Sequence, residues 1–230
     1  MYLSCSHEHL LDHAHNLILL DDTVSFPEIW KYFGPNIHEG TMYRISNFVV
    51  KEAIGKLRPV SSQFLIIFSK VTLMQVLDNE SFFIPKHKFE IVNLRDLHLL
   101  ANDIHEGVLP EYAYDVIGVV EDLQDLEIAE TKSGYMQLLK FKIGDGRYSH
   151  KVAIWGELAE FARNMLEMEA EQLRIILISS IRILKTNGHI VISCSSSTKV
   201  YVNLEYDDVI KMRQRLLEEG YVAAGDHAAN

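Results

Sequence analysis

Cysteine is nearly absent from this chain: Cys5 and Cys194 are the two in 230 residues. They form neither a disulfide framework nor a zinc-binding spacing, which fits a reducing compartment such as cytoplasm or nucleus. No apolar run reaches the roughly 18 residues that a membrane-spanning helix needs. The N-terminus has neither the basic start nor the apolar core of a secretory signal, so no membrane association is expected. Positive charge is also scarce, with 22 Lys and Arg against 32 Asp and Glu and a net charge of −10. Because Lys and Arg supply most affinity for a phosphate backbone, this balance argues against a broadly basic nucleic-acid binder. Catalytic signatures are missing as well: there is no phosphate loop, dinucleotide fingerprint, HExxH, Ser/His/Asp or Cys/His motif. The acid pairs Asp21-Asp22 and Asp207-Asp208 read as turn and helix-start residues. His7, His9, His13 and His15 match no zinc pattern, so neither metal nor cofactor is expected, and residues 1–15 read as a poorly ordered terminus.

What is present is the profile of a globular protein, 48% hydrophobic and 23% charged, with apolar mass for sizeable cores. Its clearest stretch is Lys140 to Gly156, KFKIGDGRYSHKVAIWG. Alternation on both sides of Gly144-Asp145-Gly146 predicts a β-hairpin with a two-residue Asp-Gly turn. Strand parity then sends Val152 and Ile154 into a core and leaves Lys151, Ala153 and Trp155 on the opposite face. A tryptophan beside cations on an open sheet face is what stacking on a base and holding its phosphate requires, although large aromatics more often close a core. Lys140, Lys142, Arg147 and Lys151 give this hairpin a basic stripe. Residues 112–203, which contain it, are nearly neutral, with 10 basic against 12 acidic side chains.

In chain order, 16–21 and 24–26 read as short strands and 27–33 as a helix with Pro27 in its first turn. Residues 41–68 are β in pattern, and there Arg44, Lys51, Lys56 and Arg58 interleave with Tyr43, Phe48 and Phe64; solvated faces around a β core give the same pattern. A short helix follows over 93–101 with Asn93 as its N-cap, then a polar linker at 102–111 holding Gly107 and Pro110. From 112 to 203 the reading is a strand at 115–122, the hairpin, a helix over 157–172, and strands at 173–184 and 189–194. The Ser195 to Thr198 run offers hydroxyls to a phosphate or ends a strand with small polar residues. Five strands with one helix between the third and fourth is the order of an OB-fold, a small Greek-key barrel. Residues 204–230 form a C-terminal helix and tail, stopped at Gly220.

The strings MYRISNFVV, IIF, FFIP, DVIGVVEDL, KVAIWGELAEFA and SCSSSTKVYVN, in that order, resemble the large subunit of replication protein A, its plant branch above all, over roughly residues 16 to 215. The resemblance implies a mainly β chain of tandem OB-folds, five-stranded Greek-key barrels, with the first incomplete (16–101) and the second at 112–203. It implies nuclear, sequence-tolerant binding of single-stranded DNA in replication, recombination or repair, without catalysis. Other replication protein A subunits or repair proteins are the implied partners. An aromatic at the end of each fold's third strand stacks on a base in that family, at positions matching Phe26 and Trp155. Lys140, Lys142, Arg147, Lys151 and Arg182 would meet phosphates, with Phe26 and Arg44 assisting. Departures accompany the match: the family's second stacking aromatics fall at Leu57 and about Thr186, and the segment before the second fold's second strand, usually basic, reads Gly134-Tyr135-Met136-Gln137-Leu138-Leu139. The competing reading is a degenerate OB pair kept as a protein-interaction module.

Overall fold

The computed structural model describes residues 3–5, 31–38, 41–56, 58, 61–77, 87–105, 110–132, 134–169, 173–186, 189–195 and 197–221. The chain divides into two compact units, Met1–Gly55 with Val60–Lys88 and Lys56–Pro59 with Phe89–Asn230.

In the first unit, β1 (Leu3–Cys5), β2 (Tyr43–Ser46) and β5 (Leu73–Val76) form one sheet, and β3 (Val49–Glu52) pairs with β4 (Phe64–Ile67) in another. Alternation along β2 places Tyr43 and Ile45 in a small core and leaves Arg44 exposed. The Tyr43 hydroxyl donates to the Asn36 carbonyl at 2.9 Å and accepts from the His38 amide at 2.8 Å, so its burial leaves no polar atom unmet. One expectation shifts here. Leu3–Cys5, within the terminus read as poorly ordered, pairs in parallel with Tyr43–Ile45 and is held by that ladder. The strands expected at 16–21 and 24–26 lie outside the described residues, as does most of the helix expected at 27–33, of which 31–33 are helical.

The second unit is a closed barrel. Its strands are β6 (Tyr114–Glu121), β7 (Glu127–Thr131), β8 (Gly134–Gly144), β9 (Ser149–Trp155), β10 (Ile175–Thr186), β11 (His189–Ser193) and β12 (Lys199–Val202). Pairing runs β6–β8–β9–β11–β10 and returns from β10 to β6, antiparallel throughout except for the parallel β9–β11 pair. The five-strand ring is thus 1-2-3-5-4 in sequence order, with α2 (Glu157–Met168) between the third and fourth members. Strand β7 extends the long β8 as a two-stranded arm, and β12 adds to β10; neither is foreshadowed by alternation in the sequence.

Inside the ring, Val116, Val120, Leu139, Phe141, Ile143, Val152, Ile154, Ile176, Ile178 and Ile192 are buried together. Burying side chains of this size contributes about 1.5–3 kcal/mol each, which makes the barrel interior the main source of stability in this unit. Ala159, Ala162 and Leu166 of α2 join the same core, as do Leu97 and Ala101 of α1 (Leu97–His105). Residues 97–101 therefore belong to the second unit, whose continuous stretch runs from Phe89; the sequence reading places the linker later, at 102–111, because apolar spacing does not say which core a helix joins. Asn93, expected as a capping side chain, makes no cap hydrogen bond: a 3₁₀ turn at Leu94–Asp96 leads into α1 instead.

Outside the ring, Ile117, Val119, Ile175 and Leu177 are covered by Val209 and Leu216 of α3 (Asp207–Glu218). This explains why β6 reads as almost continuously apolar: both of its faces are buried. A buried carboxylate fixes the fourth strand. Asp115 accepts from the backbone N–H of Glu90 at 2.6 Å and of Ser180 at 2.8 Å. Ser180 has φ +52 at a bulge where the β6–β10 register shifts between Ile178 and Ile181. Burial raises the Asp115 pKa above its usual value, opposed by those two amide hydrogen bonds and assisted by the nearby Glu90 charge.

Candidate nucleic-acid interface

The outer face of β8, β9, β11 and β10 carries the expected residues in rows set by strand register. One row runs Lys142, Lys151, Val191, Leu184; the next Lys140, Ala153, Ser193, Arg182; and the last pairs Leu138 with Trp155. Val152 and Ile154 are buried on the inner side, and Lys151 is exposed on the outer, as strand parity requires. Trp155 is half-buried at the very end of β9. Its backbone N–H donates to Cys194 Sγ at 3.4 Å, which fastens the end of the third strand to the residue following β11.

Gly156 makes this placement possible. At φ +68 and ψ −148 it occupies backbone space that other L-residues rarely adopt, and its N–H donates to the Gln137 carbonyl at 2.9 Å. The chain thereby turns from β9 into α2 within one residue and leaves the indole on the outside of the barrel. A Cβ at Gly156 would touch Met136 Cε at 3.4 Å, so Met136 lies against this corner. The sequence did not single out Met136, although its even spacing from Leu138, Lys140 and Lys142 assigns it to the same face.

The hairpin tip corrects one expectation. Four residues separate β8 from β9, and the Asp145 amide closes on the Tyr148 carbonyl at 3.1 Å, so the tip is Gly146-Arg147 and not Asp145-Gly146. Asp145 precedes the tip because its Oδ1 accepts from the backbone N–H of Arg147 at 2.9 Å and Tyr148 at 2.8 Å, a local side-chain-to-backbone pattern typical of Asp in turns. Gly146, with φ +86, supplies the left-handed position.

The cations are not equivalent. Lys140 is ion-paired with Glu127 of the β7 arm, and Lys142 with Asp122. The Lys142 pKa is raised, first by its hydrogen bond to Asp122 and then by that residue's charge. Arg147 reaches Glu219 at 3.7 Å, while Glu219 also takes Arg215 at 3.0 Å. Among the described residues, Lys151 and Arg182 have no ion-pair partner and both are exposed. In the first unit Arg44 is likewise exposed on β2. Phe26 and Leu57 lie outside the described residues, and Thr186 is described only as the end of β10. The Ser195 to Thr198 run serves the backbone: Thr198 Oγ1 donates to the Ser180 carbonyl at 2.8 Å and accepts from the Ser195 amide at 2.7 Å, so it closes the segment after β11. Two further tyrosines in the second unit present open ring surface, Tyr135 on the β7–β8 arm (76% exposed) and Tyr148 beside the hairpin tip (48%). No group of metal-ligating side chains is found among the described residues.

A closed five-stranded ring in this order, with its helix after the third strand, an outward aromatic at the end of that strand and cations on strands two to four, defines the class: a mainly β chain built on the OB-fold. The particular resemblance is to the large subunit of replication protein A, in its plant form. The chain is 24% identical over 199 residues to a replication protein A 70 kDa DNA-binding subunit of Arabidopsis thaliana, covering 85% of this chain and 30% of that one. It is 25% identical over 199 residues to a replication protein A 70 kDa DNA-binding subunit of Oryza sativa subsp. japonica, covering 84% of this chain and 20% of that one. It thus spans less than a third of the length of either relative. Among solved structures, a replication protein A heterotrimer bound to single-stranded DNA matches with a TM-score of 0.56 at 20% identity, over 86% of this chain and 43% of the matched chain. No family model matches.

Proposed function

We propose that this chain binds single-stranded DNA with little regard to sequence, as a module of nuclear DNA replication, recombination or repair, and that it catalyses no reaction. The observation that carries the reading is Trp155, held outside a closed OB barrel at the end of its third strand, on the face that also bears Lys151 and Arg182. Stacking accepts every base because every base has a π face, and the two cations supply contacts to the phosphates between stacked bases. Arg44 and Phe26 are the assisting residues proposed in the first unit. The plant relatives carry DNA-binding in their names, which favours the same reading, and other replication protein A subunits or repair proteins are the proposed protein partners. The division of labour follows the domain reading: the second OB-fold contributes most contacts and the incomplete first fold fewer.

A second reading, a degenerate OB pair retained as a protein-interaction scaffold, is favoured by one feature: three of the five expected cations of the second unit are already paired with carboxylates. Fluorescence anisotropy of a labelled oligo-dT of about 30 nucleotides, at two salt concentrations and with Trp155→Ala, separates the two. The proposed function requires salt-sensitive binding that the substitution weakens while the fold stays intact. Absence of binding by folded protein at low salt would leave the scaffold reading.

A further inference from the structure

The pairing pattern on the outer face has a direction. On the β8 side, Lys140 and Lys142 each hold a carboxylate, from Glu127 on the β7 arm and Asp122 just after β6. At the hairpin tip Arg147 faces Glu219. On the β9–β11–β10 side the cations are Lys151 and Arg182, which have no such partner among the described residues. For a phosphate to take Lys140 or Lys142, the carboxylate must move aside yet remain tethered within reach of the same phosphate. The exchange of one anion for another then gains little, whereas a phosphate arriving at Lys151 or Arg182 meets an uncompensated charge.

We infer that Asp122, Glu127 and Glu219 are built-in occupants of phosphate positions, so that the backbone of a bound strand is met by Lys151 and Arg182 on the β9–β11–β10 side and not along β8. This rests on the proposed single-strand binding and adds to it the path of the phosphates and the residues that limit affinity. The arrangement comes from the arm: pairing of Glu127 with Leu138 in the β7–β8 ladder puts its side chain one row from Lys140, on the same face. With single strands, each phosphate neutralised contributes about −0.7 to the slope of log K against log salt. The second unit should therefore show the slope of two contacts and not five.

The test measures oligo-dT affinity and its salt slope for the whole chain, for Asp122→Asn with Glu127→Gln, and for alanine at Lys140, Lys142, Lys151 and Arg182 in turn. Lys151→Ala and Arg182→Ala should each weaken binding about fivefold at 0.1 M salt, and Lys140→Ala and Lys142→Ala less than about twofold. The double acid variant should bind on the order of tenfold more tightly, with a slope steeper by about 1.4. If the chain binds but the acid variant is no tighter, and Lys140→Ala or Lys142→Ala costs as much as Lys151→Ala, the inference is overturned while single-strand binding stands. If neither the chain nor the acid variant binds, single-strand binding itself fails and this inference with it.

Discussion

Trp155 illustrates how one residue's chemistry depends on its neighbours' backbone. The glycine after it and the Cys194 sulfur at its amide hold the indole at the rim of the barrel, half-buried and outward. Stacking requires a π face and not merely apolar bulk, so Trp155→Phe should retain most of the oligo-dT affinity. Trp155→Leu should lose it roughly 5- to 150-fold, as read by anisotropy, which corresponds to about 1–3 kcal/mol per stacked base. Asp115 makes a different prediction. Its folded pKa lies above the unfolded one because burial disfavours the charge. Its favourable contribution is therefore complete below the unfolded pKa and is lost as pH rises through the folded value. Urea midpoints taken from about pH 7 down to about pH 4 should show the wild-type chain gaining on Asp115→Asn as pH falls. A difference that stays constant or shrinks toward acid would contradict the assignment.

At the scale of elements, the second unit depends on two tight fits. A Cβ on Gly118 would meet the Gly144 carbonyl oxygen and Ile143 Cβ, both at 3.0 Å, where β6 crosses β8 with no flexible side chain to yield. Gly118→Val should therefore cost about 1–3 kcal/mol of unfolding free energy, or more, by chemical denaturation. Leu216 is fully buried between α3 and the outside of β6 and β10, and Leu216→Ala should cost about 2–5 kcal/mol in the same assay. These elements also show what could be read beforehand. Alternation in KVAIW fixed the faces of β9 because a strand buried on one side must alternate, and the positions of Val152, Ile154 and Lys151 follow from it. The β7 arm was not legible, since Glu127–Thr131 has little apolar alternation and gains its strand form from pairing with β8. With the arm unseen, the partners of Lys140 and Lys142 were unseen too, and a stripe of four basic residues looked free. The Gly146-Arg147 tip was missed for a similar reason: hydrogen bonds from backbone amides to the Asp145 side chain, and not the Asp-Gly dipeptide, decide where the chain reverses.

For the whole molecule, the division into two units predicts partial independence. A fragment starting at Lys56 contains every residue of the second unit and has Trp155 as its one tryptophan. It should retain a cooperative thermal transition and the Trp155 emission maximum of the whole chain carrying Trp30→Phe; a fragment without either would mean the barrel needs the first unit to fold. The net charge of −10 also acts at this scale, by repelling a polyanion at long range. Association should therefore be slow at low salt relative to a neutral protein, even where the local contacts are favourable. The ring has a temporal consequence as well. The β8–β9 hairpin is local and can form in about 1–10 μs, whereas closure needs Val119 to meet Ile175 and Val152 to meet Ile192, contacts made across the intervening helix. Chains dominated by such distant pairings fold in roughly milliseconds to seconds. Only at closure does Cys194 Sγ reach the Trp155 amide, so the indole itself should report the slow step as a late change in emission during refolding.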